Sequence, residues 1–290
     1  MSRPATRPPH AGAVLALFAL LAAATTPARA DVQPAPGWQF RVVTEGLPQV
    51  DNLAYGPDGA VYATQELDPG RVVRLDRDGA TVVLGALQRP DGLLIRGGHL
   101  FVTEEIAAGR VMVMGLASGR ATTLGNFYKP EGIGMLSDGR LVISEDGSPG
   151  RLLRLEPGGG FTVLADGLER PEGLVVAADD TIYIAETAAG RVRVYRDGGL
   201  TVLAEGIAWP DQVRLDPDGN LWVTEDQSPG RLLRVGPGGA VAVVATGLDF
   251  PQGMLVRDGV LLVAEQGRGR ILAFTRAPAA PEAPTERSAP

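Results

Sequence analysis

From about residue 38 onward, apolar and polar positions alternate in short runs, and no helical period appears anywhere. RLLRL (151–155) and FTVLA (161–165) are typical runs, and turn signals such as Pro57-Asp58-Gly59 and Pro217-Asp218-Gly219 separate them. A period of two, bounded by Pro, Asp and Gly, predicts short β-strands joined by tight turns.

The runs repeat. The phrase x-Pro-acid-Gly-apolar occurs as RPDGL (89–93), KPEGI (129–133) and RPEGL (170–174), with variants QVDNL (49–53), WPDQV (209–213) and FPQGM (250–254). Its third position is Asp51, Asp91, Glu131, Glu172, Asp211 and Gln252, spaced by 40, 40, 41, 39 and 41 residues. Each unit continues with a small residue plus Glu (Thr103-Glu104, Ser144-Glu145, Ala185-Glu186, Thr224-Glu225, Ala264-Glu265; Thr64-Gln65 in the first). Gly-Arg follows, with Arg71, Arg110, Arg151, Arg191, Arg231 and Arg270. Four short strands in each unit of about 40 residues describe a propeller blade. The fold class is therefore all-β, a six-bladed β-propeller. A right-handed β-helix needs a shorter coil period and leaves two open ends. The last unit stops after its third strand, RILAF (270–274), and an unmatched strand, Gln39–Thr44, precedes the first unit. The N-terminal strand is expected to complete the last blade, which closes the ring and removes sheet edges.

Composition adds the ends and the compartment. Arg3 and Arg7, an uncharged apolar run from Ala13 to Ala24, and Ala28-Arg29-Ala30 read as a cleavable signal peptide over 1–30. The propeller then occupies 31–276, the Pro/Ala/Glu-rich 277–290 reads as a disordered tail, and the location is periplasmic or secreted. Loss of 1–30 removes Arg3, Arg7 and Arg29 but no acid, so the formal charge of −7 becomes −10. That sign argues against nucleic acid and anionic lipid and suits a site that gathers cations. No later stretch is long enough to span a membrane. There is no cysteine, and the one histidine beyond residue 30 is His99, in a Gly-Gly-His turn. Thiolate chemistry is thereby excluded, as are most histidine-based metal sites and Ser-His catalysis.

In a propeller the first strand of each blade lines the channel, so the six x-Pro-acid positions point at one axis, and five of them are carboxylates. Crowded carboxylates cannot all ionise without a cation or shared protons. A hard divalent cation, Ca²⁺ first and Mg²⁺ or Mn²⁺ after it, answers that charge. A repeat consensus at a wet channel mouth is the bland alternative. The glycine after the acid becomes Asn52 and Gln212 in blades 1 and 5, which adds amides beside Asp51 and Asp211. Arg89, Lys129 and Arg170 precede the prolines on blades 2 to 4, and Trp209 and Phe250 on blades 5 and 6. Such a rim suits a small organic ligand with a polar face, unless the cations simply pair with neighbouring acids. The second glutamate of each unit reads as an internal clamp on its Gly-Arg arginine.

At these motifs the chain resembles the calcium-dependent six-bladed propellers of the senescence-marker-protein/gluconolactonase/luciferin-regenerating family. "PDGLLI" and "PEGLVVAADDTIYIAET" look like that family's strand pairs, and RPEGL falls where it carries a metal ligand. The resemblance implies Asp51, Glu172 and Asp211 as metal ligands, with Glu131 facing substrate or a metal-bound water; Asp91, in the same ring, reads as a further substrate-side residue. It implies lactone or ester opening, with Asp211 or Glu172 accepting the proton of the attacking water. Where the family usually has Asn on blades 3 and 4, this chain has Glu131 and Glu172, and its blade-1 ligand is Asp rather than Glu. The regular repeats also look NHL-like, which implies the alternative of a non-catalytic propeller binding a protein, peptide or envelope glycan. "PDGNLWVTED" (217–226) is similar to the streptogramin-lyase propellers too, but that family's base is a channel histidine and none is placed for it here.

Overall fold

The computed structural model describes residues 31–76 and 79–278; the leader read over 1–30 and most of the tail read over 277–290 lie outside them. Six antiparallel sheets of the same design follow one another along the chain. Their innermost strands are Val50–Tyr55, Pro90–Arg96, Pro130–Met135, Pro171–Val176, Pro210–Leu215 and Pro251–Arg257. These six stand side by side around a central axis, the last against the first. Trp38–Thr44 pairs antiparallel with Arg270–Arg276 as the outer strand of blade 6, so the ring closes as the repeat implies. One element has no precedent in the repeat. Gln33–Pro34 pairs with Val241–Leu248 as a fifth strand on blade 5, and two residues are too short for alternation to show.

The apolar faces meet between blades rather than within them. Six buried clusters occupy the six junctions, such as Leu232, Val244, Val263, Leu272 and Phe274 between blades 5 and 6. Each sheet buries both faces of its inner strands, which is why those strands read as continuous Leu/Val/Ile runs near the axis and alternate further out. No helix among the described residues is long and apolar enough to cross a membrane.

Five of the six blades are locked by a second-strand glutamate. Glu104 meets Arg110 Nε at 2.6 Å and accepts the Gln88 N–H at 2.8 Å; Glu225 meets both Nε and Nη2 of Arg231 at 2.5 Å and accepts the Ala208 N–H at 2.8 Å. Blades 3, 4 and 6 repeat the pattern with Glu145–Arg151, Glu186–Arg191 and Glu265–Arg270. In blade 1 the residue equivalent to Gln88 is Pro48, which has no N–H to give. Gln65 stands there instead, its amide donating to the Pro48 carbonyl at 2.8 Å while its oxygen accepts Arg71 Nε at 2.6 Å. Gln65→Glu is therefore expected to set a carboxylate oxygen against that carbonyl and to lower stability by about 1–2 kcal/mol in urea unfolding. Adding Pro48→Ala supplies the missing donor, and the double variant should recover most of the loss.

Candidate functional site

In each blade the ladder between the first and second strands slips between the proline (Val50 in blade 1) and the residue three further on. Such a bulge re-aims the two residues inside it, and these are the acid and its successor. The freed backbone is satisfied locally. The Asn52, Gly132 and Gln212 N–H groups donate to Thr64, Ser144 and Thr224 hydroxyls at 2.8, 2.8 and 3.1 Å. The successor is glycine in four blades because the neighbouring inner strand passes so close: a Cβ on Gly92 would lie 2.0 Å from the Glu131 carbonyl oxygen, and one on Gly132 2.6 Å from that of Glu172.

The bulges gather Asp51, Asp91, Glu131, Glu172, Asp211 and Gln252 at the channel mouth, all between 2 and 7 % exposed. They line a cavity of about 310 Å³. A second ring sits over them, and it is not signalled by the Pro-acid-Gly phrase. It consists of Glu66, Glu105, Asp146, Thr187, Asp226 and Gln266, each the residue after the clamp position. Their N–H groups donate to the carbonyls of Gln49, Arg89, Lys129, Arg170, Trp209 and Phe250 at 2.8–3.0 Å. Those six rim residues all hold positive φ, between 42° and 52°, in the left-handed region that bulky side chains seldom occupy. The signal for this second ring was present as a polar position recurring at the 40-residue period.

The rim cations are engaged by that second ring. Arg89 bridges Glu66 and Glu105, Lys129 bridges Glu105 (3.2 Å) and Asp146 (3.0 Å), and Arg170 joins Asp146 (3.0 Å) to Glu172 (2.7 Å). Across the mouth Trp209 and Phe250 remain half exposed, at 51 % and 41 %. His99 lies in its surface turn, bonded to the Gly97 carbonyl.

The inner ring divides into two sides. On blades 1 and 2 Asn52 Nδ2 donates to Asp51 (3.2 Å) and Asp91 (2.9 Å), and Gln266 donates to Asp51 at 3.2 Å. On blades 3 to 5, Glu131, Glu172 and Asp211 bring one oxygen each within 4.8 Å of one another. Glu131 Oε2 and Asp211 Oδ2 are buried there with no hydrogen-bond partner among the described residues, as is Gln212 Nε2. Asp51, expected among the ligands, stands outside that triad, and Glu131 stands within it. A second acidic group of the same compactness, Glu105, Glu131 and Asp146, shares Glu131, but Lys129 already bridges two of its members.

Burial first, and then the neighbouring carboxylates, hold Asp51, Asp91, Glu131 and Asp211 well above the usual range of an aspartate or glutamate. Burial pushes Glu172 up to about 7 despite hydrogen bonding from Thr187 and the charge of Arg170. Geometry agrees. Thr187 Oγ1 lies 2.6 Å from Glu172 Oε2 and 2.5 Å from the Pro210 carbonyl oxygen. A hydroxyl has one proton, so both contacts are hydrogen bonds only when Glu172 is protonated and donates to Thr187.

No family model matches the chain, and no curated protein matches it in sequence. Solved structures do. A gluconolactonase of Xanthomonas campestris superposes with a TM-score of 0.71 at 16 % identity, over 84 % of this chain and 91 % of that one. The likeness is one of fold: the six-bladed propeller is shared. The virginiamycin B lyase of Staphylococcus aureus follows at a TM-score of 0.62 and 15 % identity, covering 85 % of this chain and all of its own (100 %). A protein of unknown function from Bacteroides thetaiotaomicron gives a TM-score of 0.67 at 15 % identity, over 84 % and 76 % of the two chains. Enzymes of two chemistries share this propeller, so its activity must be argued from its own mouth residues.

Proposed function

We propose that the protein is an exported hydrolase that uses a divalent cation, Ca²⁺ first among candidates, to open a lactone or ester at the channel mouth. The observation that carries this reading is the Glu131–Glu172–Asp211 triad, in which two buried carboxylate oxygens have no partner among the described residues. Buried charged oxygens left unpaired are costly, and an all-oxygen donor set from three adjacent blades fits a hard cation. When bound, the cation would polarise the substrate carbonyl and make water more acidic. The chain's own groups do the rest. Glu172, near 7 and held by Thr187 and Arg170, can take up or release a proton at neutral pH. Asp211 Oδ2 is the other proton acceptor facing the cavity. Arg89, Lys129 and Arg170 neutralise the outer acids so that a polar substrate meets a balanced rim, and Trp209 and Phe250 offer it an apolar wall.

The test is hydrolysis of a panel of sugar and aliphatic lactones and aryl esters, with and without chelator. Turnover that chelation abolishes and Ca²⁺ restores is the expected result; no cation-dependent turnover on any member would sink the proposal. That outcome would leave the second reading, a non-catalytic propeller that grips a protein, peptide or glycan. The half-exposed Tyr128, Trp209 and Phe250 on the mouth face favour that reading. Export rests on the leader pattern of residues 1–30. Made in a bacterium with its leader, the exported chain should begin at Asp31 on N-terminal sequencing, and retention of Met1 in the cytoplasm would contradict export.

A further inference from the structure

The far half of the channel has a character of its own. Below the acidic mouth lies a cavity of about 290 Å³ walled by Leu53, Leu93, Ile133, Leu174 and Leu255 among others. At ~30 Å³ for each water-sized group it has room for about ten. The third position after the ring acid faces into it, and in blades 1, 2, 3, 4 and 6 this is Ala54, Leu94, Gly134, Val175 and Leu255. In blade 5 it is Arg214. Its guanidinium crosses toward blade 6, where Nε donates to the Met254 carbonyl at 3.0 Å, and Nη1 donates to its neighbour Val213 at 3.3 Å. Among the described residues it forms no ion pair. Burial alone lowers it to about 10, and the only opposing charge of note is Asp211, on the mouth side.

Among the described residues the half-buried guanidinium has only carbonyls for partners and no counter-charge within hydrogen-bond reach. The surroundings keep the same sign. Arg96 lines the chamber from blade 2, and Arg257 stacks at 3.5 Å over Tyr55, another wall residue, with Asp258 nearby. Three aspartates of the surrounding hairpin turns are engaged elsewhere, Asp58 by Arg74, Asp138 by Arg140 and Asp216 by Asn220 and Trp222. The channel thus carries carboxylates at its mouth and arginines at its far end.

We propose that this far chamber binds a medium-chain monocarboxylate, its carboxylate on Arg214 and its chain against the leucine and isoleucine wall. One guanidinium matches one carboxylate, and the apolar wall beside it matches an alkyl chain. The volume of this partly open chamber suits a chain of about ten carbons at the same ~30 Å³ each and is too small for a macromolecular segment.

The site is independent of the mouth chemistry, so it is tested in chelator by calorimetric titration of the purified chain with decanoate, and with decylamine as the cationic counterpart. Decanoate should bind saturably at one site and decylamine should not. Arg214→Met, which keeps the volume and removes the charge, should weaken decanoate at least tenfold, the size of a lost charge-assisted bond. Val175→Phe keeps the guanidinium and fills the chamber, and it should abolish binding even if Arg214→Met fails to fold. Equal binding of the amine, wild-type affinity in either variant, or no decanoate binding at millimolar concentration overturns the proposal.

Discussion

Asp211→Asn is expected to weaken divalent-cation binding by about a hundredfold or more while raising the thermal stability of the cation-free protein at about pH 8. The first effect follows from removing one charged donor of three, which should at least match the ~10–100-fold cost of losing a mere supporting contact. The second follows from linkage. Asp211 is buried with an unpartnered oxygen, and burial and the neighbouring acids raise it well above 3.8. An acid whose folded pKa exceeds its unfolded one favours folding below the unfolded value, and that contribution is lost as pH rises through the folded value. For Glu172 the window runs from 4.5 to about 7, with a slope of up to about 1.4 kcal/mol per pH unit for each such group. In chelator, calorimetric Tm should therefore fall from about pH 5 to about pH 8 in the wild type and fall less in Asp211→Asn. Cation should remove the decline in the wild type alone. Glu131→Gln should behave as Asp211→Asn, whereas Asp91→Asn should leave cation affinity within a few-fold, because Asp91 already accepts Asn52. A hundredfold loss in Asp91→Asn with none in Glu131→Gln would move the cation to the Asp51 side of the ring. A Tm that rises with pH in chelator would show the ring to be ionised in the folded protein without any cation.

Glu225→Ala should be the most damaging single change to the fold, at about 3 kcal/mol. The carboxylate is fully buried, takes two 2.5 Å contacts from Arg231 and accepts the Ala208 N–H. Truncation strands a backbone donor and a guanidinium whose side chain is 36 % exposed. Removing one partner of a buried pair costs ~3–5 kcal/mol, and the solvent access of Arg231 puts the value at the lower end. Breaking the surface pair Arg74–Asp58, whose side chains are 33 % and 49 % exposed, should cost under ~1 kcal/mol. Guanidinium unfolding of the two variants side by side checks the contrast, and equal losses would remove the clamp from the list of fold-holding contacts.

Much of this was legible before any coordinates. The six-fold spacing of Asp51 to Gln252 gave the blade count, and the stranded Gln39–Thr44 and unfinished RILAF gave the closure, because a period is a one-dimensional property. The Glu–Arg clamps were legible for the same reason, since both partners recur at fixed offsets. The basic rim was legible as residues but not as roles. Arg89, Lys129 and Arg170 could have faced a ligand, and their partners Glu66, Glu105 and Asp146 are 16 to 24 residues away in sequence. In sequence Gln65 is a neutral residue at the clamp position; in the fold it answers the missing N–H of Pro48, a match visible only once the two are face to face.

What the sequence by itself determined is the ring: how many blades, which residues turn toward the axis, and that the axis is acidic at one end. Alternation and period encode those facts locally, residue by residue. What only the tertiary structure decided is which of the inward carboxylates stand close enough to share an ion, and where the far end of the same channel changes sign. Those depend on the angle between blades and on a few ångströms of bulged backbone, which no repeat can state. Equivalent positions in the six blades are aligned by the repeat, but their partners are set in space: Asn52 takes up Asp51 and Asp91, nothing among the described residues takes up Glu131 Oε2 and Asp211 Oδ2, and Arg214 faces a chamber where its five counterparts are apolar.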